Sequence, residues 1–179
     1  MAGTILVAYA TVHGSTQEVA EVVAEGLRQG GCQVECWPAK EVQNLEAYDA
    51  VVLGTSIYMF HLHKDAKHFL ARHRRELERR PVAIFALGPF HDEEKEWRQV
   101  RGQLAAELAK FPWLHPVAHE VFGGKFDPTK LRFPFKFLPA LRKLPASDIR
   151  DWAAIRGWAA ELLEKLPAAA SRVENAKVA

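Results

Sequence analysis

Residues 11–16 of the 179-residue chain read Thr-Val-His-Gly-Ser-Thr, with three hydroxyls, one glycine and no lysine or arginine. They follow the apolar run Ile5-Leu6-Val7-Ala8-Tyr9 and precede a segment with helical spacing. A turn from a strand into a helix presents free backbone N–H groups at the positive end of the helix dipole. Hydroxyls on Thr11, Ser15 and Thr16 add donors there. The chemistry this allows is capture of an anion such as a phosphate without a cation. The same residues also suit a plain turn with a helix cap, and by themselves they leave both readings open.

Several phosphate-handling classes are excluded by what is missing. No lysine follows the glycine turn, so the triphosphate-binding G-x-x-x-x-G-K-[ST] loop is absent, as is the dinucleotide G-x-G-x-x-G pattern. A phosphorylated receiver domain would place acids after the first strand and an aspartate at the end of the third. Ala10-Thr11 and Gly54-Thr55-Ser56 stand there instead.

Two more strand ends belong with this turn. Thr55-Ser56-Ile57-Tyr58-Met59-Phe60 follows one apolar run, and Leu87-Gly88-Pro89-Phe90-His91 closes another. Each combines backbone amides with aromatic rings. One loop for a phosphate and two for a flat polar ring describe a mononucleotide with an aromatic head. Tyr58, Phe60 and Phe90 are equivalent candidates for stacking on it. His91 is a candidate proton relay, and Asp92 either joins it or caps the next helix.

The elements that must position these loops follow from periodicity. Strands are expected over Ile5–Tyr9, Cys32–Trp37, Tyr48–Leu53, Pro81–Leu87 and His115–Phe122. Helices are expected over Ser15–Gln29, Lys64–Arg79 and Asp92–Lys110. A last helix should start near Ser147 or Asp148 and turn Ile149, Trp152, Ile155, Ala159 and Leu162 inward. Residues 123–145 read as irregular and 168–179 as a frayed tail. The alternation argues for one domain over residues 1–167, a parallel sheet with helices on both faces and right-handed crossovers. Ligands of such sheets bind beyond the carboxyl ends of the strands.

Composition sets further bounds. Hydrophobic residues make up 49%, enough for a sizeable core. The formal net charge of +2 gives no case for nucleic acid. No signal peptide is expected from the glycine-interrupted start, and no apolar run approaches the ~20 residues of a membrane span. Cys32 and Cys36 on one strand would lie about 13 Å apart, beyond the roughly 7 Å reach of a disulfide. Reduced thiols fit a cytoplasmic protein.

With these residues in place, the sequence resembles the flavodoxin superfamily, whose phosphate loop runs roughly T-x-T-G-x-T. His13 stands where a hydroxyl residue is usual. The resemblance implies an α/β flavodoxin-like fold, a doubly wound five-stranded parallel sheet of order 2-1-3-4-5, and bound FMN. Carried over by position, Thr11, His13, Gly14, Ser15 and Thr16 would hold the phosphate. Thr55, Ser56, Ile57, Tyr58, Phe60, Leu87, Gly88, Pro89, Phe90 and His91 would flank the isoalloxazine.

The back third is more specific. Phe122-Gly123-Gly124-Lys125-Phe126, a basic aromatic stretch and the Asp151-Trp152 entry to the last helix are similar to the menaquinone-dependent protoporphyrinogen oxidase family. That likeness implies a quinone-linked flavoprotein oxidising protoporphyrinogen, with flavin N5 chemistry and no obligatory catalytic side chain. In the insertion, at about 125–145, Lys125, Lys130, Arg132, Lys136, Arg142 and Lys143 face one acid, Asp127. Phe126, Phe133, Phe135, Phe137, Leu138 and Leu141 are interleaved. Such a stretch suits an anionic membrane surface, a propionate-bearing tetrapyrrole or a docking partner. It equally suits rings packed on the sheet with solvated cations. The basic run from Lys64 to Arg80 reads as a solvated helix face or a docking surface. His61, His63, His68 and His73 lack cysteine partners, so no metal site is expected, and His73 falls on the apolar face. Two alternatives stay open: an electron carrier that docks to redox partners, and an interaction domain without FMN.

Overall fold

A computed structural model of the chain describes residues 3–58, 60–131 and 135–166, without the side chains of Tyr58, Phe135 and Leu141. The expectations for Arg132, Phe133 and 168–179 lie outside that range. The strands are β1 (Thr4–Tyr9), β2 (Gln33–Pro38), β3 (Ala50–Tyr58), β4 (His61–Leu62), β5 (Val82–Leu87), β6 (Ala118–Phe122), β7 (Lys125–Phe126) and β8 (Ser147–Asp148). The helices are α1 (Ser15–Gln29), α2 (Lys64–Arg72), α3 (Arg74–Leu77), α4 (Glu94–Leu108), α5 (Pro139–Arg142) and α6 (Trp152–Lys165).

Among the described residues, five parallel strands run in the order β2-β1-β3-β5-β6, and β4 folds back antiparallel on β3. With β4 set aside, this is the expected order 2-1-3-4-5. Pleating sends alternate residues to opposite faces. Ile5, Val7, Val52 and Phe85 pack under α1 and α6. Leu6, Ala8, Leu53 and Ile84 pack under α2 and α3. Ala86 and Val121 meet Val100 and Leu104 of α4. Trp158, which periodicity did not single out, sits edge-on to Phe85 and Phe122 at ring distances of 5.9 and 5.7 Å.

Several boundaries differ from expectation, each for a local reason. β3 does not stop before Gly54-Thr55-Ser56, because those residues pair with Phe85, Ala86 and Leu87 of β5. β6 starts at Ala118 because Pro116 has no N–H to give the ladder. The helix expected over Lys64–Arg79 breaks at His73, which belongs to neither half. His73 is buried against Phe69 on the inward face where the helical period places it, and the break lies in its backbone, at φ −100° and ψ 19°. Asp92 does not cap α4, since its carboxylate accepts the Trp97 indole N–H at 2.9 Å. α6 begins at Trp152 rather than near Ser147, with Asp151 accepting from the amides of Ala153 and Ala154. Ser147–Asp148 instead pairs with Lys125–Phe126, so the expected irregular segment carries a hairpin arm. Ile149 and Trp152 are half-buried, whereas Ile155, Ala159 and Leu162 are core residues. Cys32 and Cys36 form no disulfide among the described residues, and burial pushes the Cys36 thiol up to about 11.

Glu107 ties α4 to β4. Its buried carboxylate accepts from the Leu62 amide at 3.2 Å, from His61 Nδ1 at 3.1 Å and from Lys110. Burial would raise its pKa, but the hydrogen bonds from Lys110, His61 and Leu62 outweigh it and hold the carboxyl at about 2. A folded-state pKa below the unfolded value gives stability that is complete above the ordinary glutamate range. That stability is lost as pH falls toward about 2. Glu107→Gln is expected to cost about 2 kcal/mol near neutral pH. Thermal melts across the acid range should show the gap to wild type closing as pH falls.

Candidate functional site

The turn 11–16 is shaped by its own residues. Gly14 holds φ +91°, a conformation that side chains rarely adopt, and its amide donates to Thr11 Oγ1 at 2.9 Å. The Gly14 carbonyl then accepts the first helical bond of α1 from Glu18 at 3.1 Å. Gly14, not a hydroxyl residue, is therefore the helix cap. Thr16 is fully buried, and its hydroxyl has no hydrogen-bond partner among the described residues. A buried hydroxyl is costly to leave unpaired, and an anion held on this turn would relieve that cost.

A cleft of about 260 Å³ opens beside this turn. Thr11, His13 and Ser15 line it at one end, Ser56 and Ile57 from β3, and Leu87, Phe90 and His91 from the end of β5. The Ser56 hydroxyl is buried without a hydrogen-bond partner among the described residues. His91 Nδ1 lies 3.1 Å from Glu96, whose other oxygen accepts the Phe90 amide at 2.7 Å. That carboxylate thus fixes both the loop backbone and the imidazole.

Other expected residues serve the walls. The Thr55 hydroxyl donates to the Ser56 carbonyl at 3.2 Å and accepts from the His63 amide at 3.4 Å, so it organises the strand end. Gly88 donates to the Phe122 carbonyl at 3.2 Å, and the Pro89 carbonyl accepts from Gly124 at 2.7 Å. Phe60 has φ +71°, is 62% exposed and borders a separate groove with Glu93 and Gln99. The Tyr58 side chain lies outside the described residues. Of the three stacking candidates, Phe90 is the one seen in the cleft, 5.7 Å from the Phe126 ring.

The far wall comes from residues that sequence reasoning left out of the site. Lys125, Phe126, Asp127, Lys130 and Leu131, with Leu144 and Pro145, close the cleft from the insertion. Their basic and aromatic composition was visible, but nothing local shows that the segment folds back over the turn. Glu18 also lines the cleft and is held by Arg150 Nη1 at 2.6 Å. Arg150, only 3% exposed at its side chain, forks onto Asp148 at 2.8 and 2.6 Å. It also lies over the Trp152 ring at 4.6 Å. Among the described residues, no group of three or more His, Cys, Asp or Glu comes together as a metal would require.

Comparison with known proteins gives this geometry a context. The flavodoxin domain family matches residues 6–138. Protoporphyrinogen IX dehydrogenase [quinone] of Escherichia coli K12 is 30% identical over 169 residues, spanning 88% of this chain and 93% of that protein. Flavodoxin 1 of Bacillus cereus superposes with a TM-score of 0.59 at 16% identity, covering 91% of this chain and 99% of its own. A flavodoxin variant of Pseudomonas aeruginosa gives 0.56 at 17% identity over 92% and 99%.

The cofactor of this family, FMN, fits what the site offers. The unpaired Ser56 hydroxyl, with Thr11 and Ser15, would meet its polar atoms, and Ile57, Leu87, Phe90 and Phe126 would supply apolar walls for its ring. On the family match and on this fit, the chain belongs to the flavodoxin domain family and binds FMN.

Proposed function

We propose that the chain is an FMN oxidoreductase of the protoporphyrinogen dehydrogenase type, passing reducing equivalents from a porphyrinogen to a quinone. The observation that carries this reading is the far wall of the cleft. There Lys125 and Lys130 line the cleft with Phe126 and Leu131, and Phe126 packs against Phe90. Cations next to apolar faces suit a tetrapyrrole whose propionates need counter-charges. The identity to the E. coli relative supports the same reading.

Bound FMN would supply the redox chemistry, as an acceptor of hydride equivalents that a quinone can reoxidise. The chain's residues do the rest. Phe90 and Phe126, packed against each other at 5.7 Å, exclude water and give the ring system an apolar surface to lie on. Lys125 orients a carboxylate of the substrate. The imidazole of His91, braced by Glu96, takes the proton that leaves the porphyrinogen with each hydride equivalent.

Quinones reside in membranes, and the insertion offers a way to reach them. Phe137, Leu138 and Leu144 are exposed hydrophobics, with Lys136, Arg142 and Lys143 nearby in the chain. This pairing suits peripheral contact of a cytoplasmic protein with an anionic membrane face. No helix among the described residues is long and apolar enough to cross a membrane.

The test is turnover by the FMN-loaded protein. Protoporphyrinogen and menaquinone in anionic vesicles should yield porphyrin fluorescence at a rate that depends on both. A protein that leaves porphyrinogen untouched yet reduces a one-electron redox protein would overturn the proposal in favour of an electron carrier.

A further inference from the structure

The phosphate turn contains no cation of its own, but the fold brings one to it. Lys130 borders the FMN cleft and also a second, shallow pocket formed by the outer side of the same turn, with Thr11, Val12, His13, Gly14 and Gln17. We propose that Lys130 is a phosphate ligand of FMN, so that the insertion grips the cofactor as well as forming the substrate wall. The inference rests on FMN occupying the cleft, not on porphyrinogen being the substrate.

The backbone under Lys130 is fixed. Asp127 accepts from the Thr129 amide at 2.9 Å and from its hydroxyl at 2.6 Å, and the Lys130 amide donates to the Asp127 carbonyl at 3.1 Å. Pro128 opens this 3₁₀ turn with its φ already restricted. The ammonium group is thereby delivered to the loop from a short, capped turn rather than from a free strand of chain.

The surrounding charges favour this role. Asp127 is the acid beside Lys130, but its carboxylate is engaged by Thr129, and an exposed pair with Lys130 would contribute little. Glu18, the acid nearest in sequence to the turn, is held by Arg150. Lys125 also lines the cleft but not the pocket at the turn, and its backbone pairs with Asp148. Lys40 reaches only the outer pocket. A phosphate on the Thr11–Thr16 amides would therefore meet Lys130 from the cleft side, with Lys40 further out.

FMN and riboflavin differ only in the phosphate, which separates this role from any packing role of the insertion. Flavin fluorescence quenching would be titrated with each ligand on wild type, Lys130→Gln and Lys130→Arg. Lys130→Gln should raise the FMN Kd by about fivefold at low salt and leave the riboflavin Kd unchanged, as expected for one exposed charge pair. The FMN effect should shrink as salt rises, and Lys130→Arg should retain most of the affinity. Lys40→Gln should change FMN binding less than Lys130→Gln does. Equal loss for both flavins, or no change in FMN binding, would overturn the assignment.

Discussion

Gly123→Ala is expected to cost about 3 kcal/mol of stability and to open the FMN cleft. A methyl group at this position would collide with the carbonyl oxygen of Ile149 and come within 2.7 Å of its carbonyl carbon. The obstacle is backbone, so no rotamer change relieves it. The neighbouring hydrogen bonds leave little room for the chain to shift. Gly124 donates to the Pro89 carbonyl at 2.7 Å and accepts from the Ile149 amide at 3.1 Å, while Gly88 donates to Phe122. These bonds join the end of β6, the loop after β5 and the strand β8 into one corner. Moving Ile149 away would break the β7–β8 hairpin, whose Lys125 and Phe126 form the far wall. Urea unfolding should show the stability loss, and flavin titration a rise in both the FMN and riboflavin Kd. An unchanged riboflavin Kd would show that this corner does not hold the ring site together.

This corner also marks the limit of what the sequence could say. The parallel sheet was legible because its strands are continuous apolar runs such as Ile5–Tyr9 and Val82–Leu87, buried on both faces. The strand-to-helix turn was legible because its signals are local: Gly14 and the following helix are adjacent in the chain. Gly54-Thr55-Ser56 read as a loop because glycine and hydroxyl residues punctuate most sequences, yet pairing with β5 keeps it in the strand. β7 and β8 have two residues each, too short for any period, and their pairing is set by the contact of distant segments. The cations and rings of the insertion were conspicuous. Their destination was not, because it depends on that hairpin and on the capped turn at Asp127.

Arg150 is the other fixture of this corner, and Arg150→Met is expected to destabilise the protein by about 2–3 kcal/mol near neutral pH. Methionine keeps much of the apolar stem but loses the fork onto Asp148 and the bond to Glu18. The two carboxylates are partly exposed and regain some water, which keeps the cost below that of stranding fully buried charges. The pH dependence identifies the cause. Hydrogen bonds from Arg150, opposed by burial, hold the Asp148 carboxyl below the usual aspartate range. A folded-state pKa below the unfolded one gives stability that is complete above that range and lost as pH falls through it. Wild type and Arg150→Met should therefore differ most near neutrality and converge in acid, as read by urea unfolding at several pH values. The cofactor should report the other half of the change. Released from Arg150, Glu18 places an uncompensated charge in the cleft next to the phosphate turn, and the FMN Kd should rise several-fold. Adding Glu18→Gln to Arg150→Met should recover FMN affinity without recovering stability, because the bonds to Asp148 stay lost. A double variant that binds FMN no better than Arg150→Met would mean that Arg150 supports the site through the hairpin alone, with no part for the charge of Glu18.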